Sequence, residues 1–372
     1  MRLLPPKSML FLALALGICF AEGVRRRMAN VWAERYAGSE SCRRCHEREY
    51  ALWSTGPHTK QFRAATNECQ GALWAIGGRD VIQYLRAMPG GRLQLMPWSW
   101  DVRKKEWYNT AQSFVRDWIP GDAPLDWHHS AFTFQTSCMG CHIAPSWERP
   151  AVPGKHWIEP TISCEGCHGP LYAHTRAPHL FKMPARLDSS SCMACHAKIS
   201  GQALAAQPPG LDALTRRKRA LDMPNGLVMP EDDIDFTADG RTLGETYTWT
   251  QWTLNPCAAA KGGPDCLTCH TSSGRTRKQG SEACTSCHSS KTVAEHGRHP
   301  NPGANAPTCL SCHMPPTVFG RIRSTNHSFK PPDPSLAVHF GGKSACANCH
   351  LRRSEEKNAA IVEMWRAQTA PQ

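Results

Sequence analysis

The sequence predicts a loop-rich chain whose core is supplied largely by attached groups, with one small β-structured insert near residues 71–118. A mean hydropathy of −0.46, with 29 prolines and 28 glycines in 372 residues, is low for a chain that must bury two ordinary domains. Cysteine and histidine are abundant instead, with 19 and 18 copies. Such counts indicate a disulfide framework, metal sites or covalently attached cofactors.

The spacing of the cysteines decides among these three kinds of site. Sixteen of the nineteen fall in eight copies of the pattern Cys-x-x-Cys-His. In chain order, motifs 1 to 8 are Cys42–His46, Cys138–His142, Cys164–His168, Cys192–His196, Cys266–His270, Cys284–His288, Cys309–His313 and Cys346–His350. Their second cysteines are Cys45, Cys141, Cys167, Cys195, Cys269, Cys287, Cys312 and Cys349.

This spacing is typical of covalent haem attachment. Two thiols three positions apart on one helical turn reach the two vinyl groups of a haem, and the adjacent histidine binds the iron. Paired Cys-x-x-Cys sequences also form zinc sites, but tetrahedral zinc gives no reason for a histidine after every second cysteine. A disulfide framework would not repeat one five-residue unit. The motifs therefore predict eight attached c-type haems, with the motif histidines as proximal iron ligands.

The amino terminus predicts export. An apolar run over Met9–Ala21 follows Arg2 and Lys7, as in the n-region and h-region of an export signal. The run is short for a membrane span. The basic cluster Arg25–Arg27 disfavours translocation, however, and keeps an uncleaved membrane anchor open as the alternative. Residues 1–33 are therefore expected to be an export signal or N-terminal anchor, and the rest of the chain to be periplasmic or extracellular.

Motif density divides the rest of the chain. The predicted segments are a first haem module over 34–68, a haem-free β-rich insert over 69–127, motifs 2 to 4 over 128–200, a linker or wrapping segment over 201–245, and motifs 5 to 8 with a closing helix over 246–372. In the insert, Val81–Leu85 and Arg92–Met96 alternate in polarity around Met88–Gly91, as in a β-hairpin or short meander. The closing helix is predicted over Ser354–Ala367.

With the motifs placed, the chain resembles multihaem cytochromes c related to the nitrifier tetrahaem cytochrome c and, more distantly, hydroxylamine oxidoreductase. The similar stretches are Tyr36–Glu40, Trp53–His58, Cys164–Pro170 with His174, Cys312–Pro315 and Asn326–Phe329. The resemblance implies a mostly α-helical and irregular multihaem cytochrome c in which closely packed haems form much of the core. Before motif 5, Asn255–Cys257 replaces a Ser-Lys-Met sequence frequent in relatives, so haem five is the expected exception to the pattern of ligands.

Ten histidines lie outside the motifs, enough to supply a second, distal ligand to every iron. By resemblance, the favoured distal ligands are His58, His174, His296, His299, His327 and one of the pair His128 and His129. The weaker candidates are His156, His179 and His339. Histidine on both faces of an iron leaves no position for substrate, so such sites transfer electrons without catalysis at the iron. No catalytic residue is predicted.

The charge of the chain is interpreted only with the haems included. The polypeptide carries a formal charge of +12. Roughly 16 propionates and one positive charge per ferric centre would bring the loaded protein to about +4 when oxidised and about −4 when reduced. The basic residues are therefore expected to face propionates, and no nucleic-acid partner is expected. Cys69 and Cys257, outside the motifs, are expected to be a disulfide pair or ordinary thiols.

These features predict an octahaem electron carrier whose donors and acceptors are redox proteins. One alternative is a reductase or oxidase of a small nitrogen or sulfur compound at one open haem, although the Cys-x-x-Cys-Lys motif of lysine-ligated nitrite reductases does not occur. The other alternative is structural, with the chain as an oligomer or conducting-filament subunit or as a fixed electron-transfer subunit of a membrane complex.

Overall fold

The computed structural model describes residues 35–148, 154–183, 187, 189–229, 234–237, 241–245, 247–288, 298–299 and 307–369. Short helices, irregular segments and antiparallel strands make up this part of the chain. The signal or anchor predicted over residues 1–33 and the candidate ligand His296 lie outside it. None of the helices in these ranges has the length and apolar character needed to cross a bilayer.

The predicted insert folds into a six-stranded antiparallel sheet. Its strands are β1 Phe62–Ala64, β2 Trp74–Gly77, β3 Val81–Ala87, β4 Leu93–Leu95, β5 Trp98–Asp101 and β6 Glu106–Asn109. β3 is central, because it pairs with β2, β4 and β5. The predicted hairpin is confirmed, with Leu85 of β3 opposite Leu95 of β4. The sheet begins at Phe62, earlier than the predicted boundary, because β1 pairs with β2.

One face of the sheet carries a hydrophobic core. Phe62, Leu85 and Leu95 pack there with Phe134 and Met139, and the last two belong to the helices at motif 2. Burying side chains of this size contributes about 1.5–3 kcal/mol each. Met139 is fully buried. The core therefore lies between the insert and motif 2 and fixes that motif to the sheet.

The helices are short, and most of them carry or flank a motif. They are α1 Glu40–Arg43, α2 Glu47–Ser54, α3 Phe134–Ser137, α4 Met139–His142, α5 Cys164–His168, α6 Tyr172–Arg176, α7 Ser190–His196, α8 Gly201–Ala205, α9 Ala213–Leu221, α10 Thr248–Thr253, α11 Pro256–Ala259, α12 Cys266–Cys269, α13 Glu282–Thr285, α14 Cys309–His313, α15 Pro334–Phe340 and α16 Glu355–Thr369. Helices of one or two turns are not stable alone in water, so tertiary contacts must hold them. α16 confirms the predicted closing helix and packs against α15.

Part of the segment predicted as a linker or wrapping segment, residues 201–229, is described by the structure. It contains α8 and α9, which the sequence analysis did not predict. The side chain of Asp212 caps α9 by accepting a hydrogen bond from the Thr215 amide, and Leu214 and Ala220 are buried. α9 packs against α4 and α7, the helices of motifs 2 and 4. These contacts connect the described part of the segment to two motif helices.

A second antiparallel pair joins the C-terminal half to the insert. β7 Pro316–Phe319 and β8 Ile322–Thr325 form a hairpin directly after motif 7. At its turn, the Arg321 guanidinium lies 3.1 Å from an Asp101 carboxylate oxygen and 2.5 Å from one of Glu106. The same guanidinium covers the Tyr108 ring, 4.6 Å from its centroid. Residues far apart in sequence are thus held together at this point.

Candidate haem-binding sites

Six of the eight motifs have a helix that is built in one of two ways. In motifs 3, 5 and 7 the first cysteine is also the first helical residue, and a capping residue directly precedes it. The caps are Ser163, Asp265 and Thr308, which accept hydrogen bonds from the amides of Gly166, Thr268 and Ser311. In motifs 1, 4 and 6 the helix begins two residues before the first cysteine. Either arrangement places both cysteines on about one helical turn, as haem attachment requires.

Three motif histidines each face one of the predicted distal histidines. The ring centroids are 6.3 Å apart in each pair, and the ring planes are inclined by 32°, 34° and 21°. The pairs are His46 with His174, His270 with His327 and His350 with His299. These histidines come from distant parts of the sequence, so the fold brings them together.

The spacing of the pairs fits one iron between two imidazoles. A metal lies about 2 Å from a histidine nitrogen, and that nitrogen lies about 1.2 Å from the ring centroid, so two rings on opposite sides of one metal have centroids about 6.3 Å apart. The Nδ1 atoms of His174 and His327 lie 2.7 Å and 2.8 Å from the carbonyl oxygens of Phe181 and Thr325. A proton held on Nδ1 leaves Nε2 free to bind a metal. The residues present therefore fit c-type haems with two histidine ligands.

The surrounding protein keeps several of these histidines neutral. Desolvation lowers the pKa of His142 to about 4. Desolvation also lowers the pKa of His196 to about 4, with smaller contributions from the positive charges of His58, His327 and His270. Desolvation similarly lowers the pKa of His327. The neutral imidazole is the form that binds a metal, so this environment favours ligation. His58 is thus within electrostatic range of His196 of motif 4.

The other candidate ligands differ in how their rings are held. The Nδ1 atom of His128 lies 2.8 Å from a carboxylate oxygen of Asp126, which leaves Nε2 free. The Nδ1 atom of His129 instead accepts a hydrogen bond from the Ala131 amide, so its proton sits on Nε2. Of the two, only His128 is prepared to bind a metal through Nε2. His156 has its Nδ1 atom 2.9 Å from the Trp147 carbonyl oxygen.

The weaker candidates His179 and His339 are exposed. The geometry does not favour haem five as the exception, because His270 of motif 5 faces His327 at the same spacing as the other pairs. Within the described ranges, no three histidine, cysteine, aspartate or glutamate side chains gather into a site for a bare metal ion. Cys69 and Cys257 are both free thiols, so the disulfide alternative is wrong for this structure.

A buried carboxylate that the sequence analysis missed joins motifs 1 and 3. Glu165, inside motif 3, is 1% exposed. Its two oxygens accept hydrogen bonds of 2.8–3.0 Å from the amides of Ala37, Gly38 and Leu171. The segment leading into motif 1 is thereby tied to the helix of motif 3. The sequence signal is a charged residue between the two cysteines of a motif, within the stretch Cys164–Pro170 that carries the family resemblance.

Substituting Glu165→Gln is expected to destabilise the haem-loaded protein by about 1–3 kcal/mol. Glutamine has one acceptor oxygen in place of two, so at least one buried amide loses its partner. Denaturant unfolding followed by circular dichroism would measure the change. Glu40→Gln is the matched control, since Glu40 pairs with Arg43 and Tyr50 at an exposed site, where solvent screening makes such contacts weak. Equal losses in the two variants would contradict the role of Glu165.

Neither a protein-family model nor a curated protein sequence matches the chain. Solved structures do match it in fold. The chain is similar to the outer cell wall cytochrome OcwA, with a TM-score of 0.61 at 18% identity, over 90% of this chain and 87% of that one. At this identity the likeness is one of fold, and the relationship to the nitrifier tetrahaem cytochrome c stays a prediction.

Two further solved structures match less well. The undecaheme cytochrome from the S-layer of Carboxydothermus ferrireducens gives a TM-score of 0.48 at 18% identity, over 90% of this chain and 60% of that one. The octaheme sulfite reductase MccA of Wolinella succinogenes, form II, gives 0.42 at 16% identity, over 77% of this chain and 55% of that one.

Proposed function

We propose that the chain is an exported octahaem cytochrome c that carries electrons between redox proteins. The three histidine pairs at 6.3 Å carry this proposal, because each matches an iron closed on both faces by imidazole. When bound, each haem supplies an iron that alternates between the ferric and ferrous states. The polypeptide would hold these irons in place and leave no coordination position on them for a substrate.

Contacts between the motifs support a continuous path. First cysteines meet in three places, with their thiols within hydrogen-bonding reach: Cys42 and Cys164, Cys192 and Cys266, and Cys284 and Cys309. Second cysteines lie within electrostatic range of each other in three more: Cys167 and Cys195, Cys269 and Cys287, and Cys312 and Cys349. The motifs therefore follow one another in the order 1, 3, 4, 5, 6, 7, 8.

Motif 2 joins this order at motif 4. The Cys141 thiol lies 3.8 Å from the Cys195 carbonyl oxygen, and the Cys195 thiol lies 3.8 Å from that of Gly140. Cys45 of motif 1 and Cys349 of motif 8 stand at the two ends of the order, and both are exposed. Cys287 of motif 6, inside the order, is exposed as well. We infer that redox partners dock near motif 1 and motif 8. OcwA is an outer cell wall cytochrome, in keeping with export of this chain.

Reductive titration of the haem-loaded protein would test this function. Intact mass should first show eight attached haems, and six or fewer would contradict the proposal. We expect the protein to accept about eight electrons, one per motif iron, and to pass them to a second cytochrome or an electrode. Nitrite, hydroxylamine and sulfite should reoxidise it no faster than they reoxidise a short haem peptide. Rapid reoxidation by any of the three would favour the enzyme alternative.

A further inference from the structure

Three serines each hold the first cysteines of two different motifs. In all three cases the serine carbonyl accepts a hydrogen bond from the first cysteine amide of its own motif, at 2.9–3.0 Å. Its hydroxyl accepts one from the first cysteine amide of another motif, at 2.9–3.2 Å. The serines are Ser39 between motifs 1 and 3, Ser189 between motifs 4 and 5, and Ser281 between motifs 6 and 7.

The second hydrogen bond gives an acceptor to a backbone amide at the start of the partner helix. In motifs 3, 5 and 7 the first cysteine occupies the first position of its helix, where the backbone amide has no partner within the helix. The capping residue of each motif is already used, because it accepts from the amide two positions further along. An acceptor from outside is therefore required, and the serine of the other motif supplies it. Each hydrogen bond joins the two peptide groups that carry the attachment cysteines.

The sequence repeats this device. Each of the three serines stands three residues before the first cysteine of its motif, and each partner motif has its capping residue directly before the first cysteine. Motif 2 has Gln135 at the position of the serine instead. That side chain accepts from the Leu93 amide and donates to the Gly91 carbonyl oxygen, so motif 2 is tied to the sheet. At motif 2 this position thus holds the sheet in place of a second motif.

We propose that Ser39, Ser189 and Ser281 are positioning residues that set the electronic coupling between the two haems of each pair. This inference rests on the proposed function. The hydroxyl fixes the distance between two motif cysteines, and under the proposed function each of these cysteines would hold the edge of its haem. Loss of the hydroxyl would leave an amide without an acceptor and let the two helix starts move relative to each other.

Circular dichroism in the Soret band of Ser189→Ala would test this inference, since neighbouring haems with fixed mutual orientation give an exciton couplet. We expect the variant to keep eight haems by intact mass and to lose the contribution of one pair, with the other two pairs retained. Ser189→Thr keeps the hydroxyl and should restore the wild-type couplet. Ser200→Ala is the matched control, because Ser200 also accepts an amide hydrogen bond, but within its own helix.

An unchanged couplet in Ser189→Ala, the same loss in Ser200→Ala, or a wild-type spectrum without a couplet would overturn the inference. Loss of one haem from Ser189→Ala alone would also overturn it, because the hydroxyl would then act in haem attachment. The proposed function fails separately, through a wild-type protein with six or fewer haems or with substrate-accessible irons, whatever the variants show.

Discussion

Expressed in the cytoplasm as residues 34–372, without haem-attachment machinery, the chain is expected to lose its folded structure throughout motifs 5 to 8. The helices α12, α13 and α14 bury none of their own side chains, and each has four or five residues. Helices of this length do not persist in water by themselves. Attached haems must therefore supply the contacts that hold this region, and their loss removes its core.

Hydrogen exchange followed by mass spectrometry would measure this loss. Peptides covering α12 to α14 should exchange at the unfolded rate in the haem-free chain and slowly in the loaded one. The insert is the internal control, because its strands pack a hydrophobic cluster of their own and should retain more protection. Slow exchange at motifs 5 to 8 in the haem-free chain would show that side chains alone suffice there.

Replacing His174 by alanine is expected to create one carbon-monoxide-binding haem in each chain. His174 faces His46 at the spacing of two imidazoles on one iron, so its removal would open one face of the haem at motif 1. The other irons keep their ligands, and the change should be confined to that haem. Difference spectra of the reduced protein with and without carbon monoxide would measure it.

His179→Ala is the matched control for this substitution. His179 lies close to His174 in sequence but is exposed, so its substitution should leave carbon monoxide binding unchanged. Added imidazole should enter the opened position of the His174→Ala variant and suppress the new signal, which a general loosening of the fold would not allow. If the variant binds no more carbon monoxide than the unchanged protein does, His174 is not a ligand.

Features that depend on neighbouring residues were predictable from the sequence. The attachment motifs follow from spacing alone, and the β3–β4 hairpin and the helix α16 follow from periodicity over a few residues. The helix α9 was missed because its charged middle, Arg216–Arg219, hides a pattern in which only Leu214 and Ala220 are buried. Local structure was therefore predictable where the sequence shows a clear periodic pattern, and it was missed where charged residues conceal that pattern.

Features that depend on distant residues were not predictable in the same way. The sequence offered ten histidines outside the motifs, but which of them faces which motif depends on chain segments that meet only in the fold. Ser39 and Ser189 both stand three residues before the first cysteine of a motif, which the sequence shows. Nothing in the neighbouring residues identifies the second motif, whose amide donates a hydrogen bond to the serine hydroxyl. The role of Glu165 is similarly set by the path of Ala37 and Gly38 beside motif 3.

The contact of Arg321 with Asp101 and Glu106 bears on how the polypeptide could be divided. Arg275 makes another such long-range contact by donating to the Thr55 carbonyl oxygen. In a third contact, the Ser189 hydroxyl accepts a hydrogen bond from the Cys266 amide. A backbone break between motifs 4 and 5 would therefore leave two fragments interlocked, as a noncovalent heterodimer with an intact fold. The gene could be split at that point for segmental isotope labelling, because two separately matured pieces have complementary surfaces through which to reassemble.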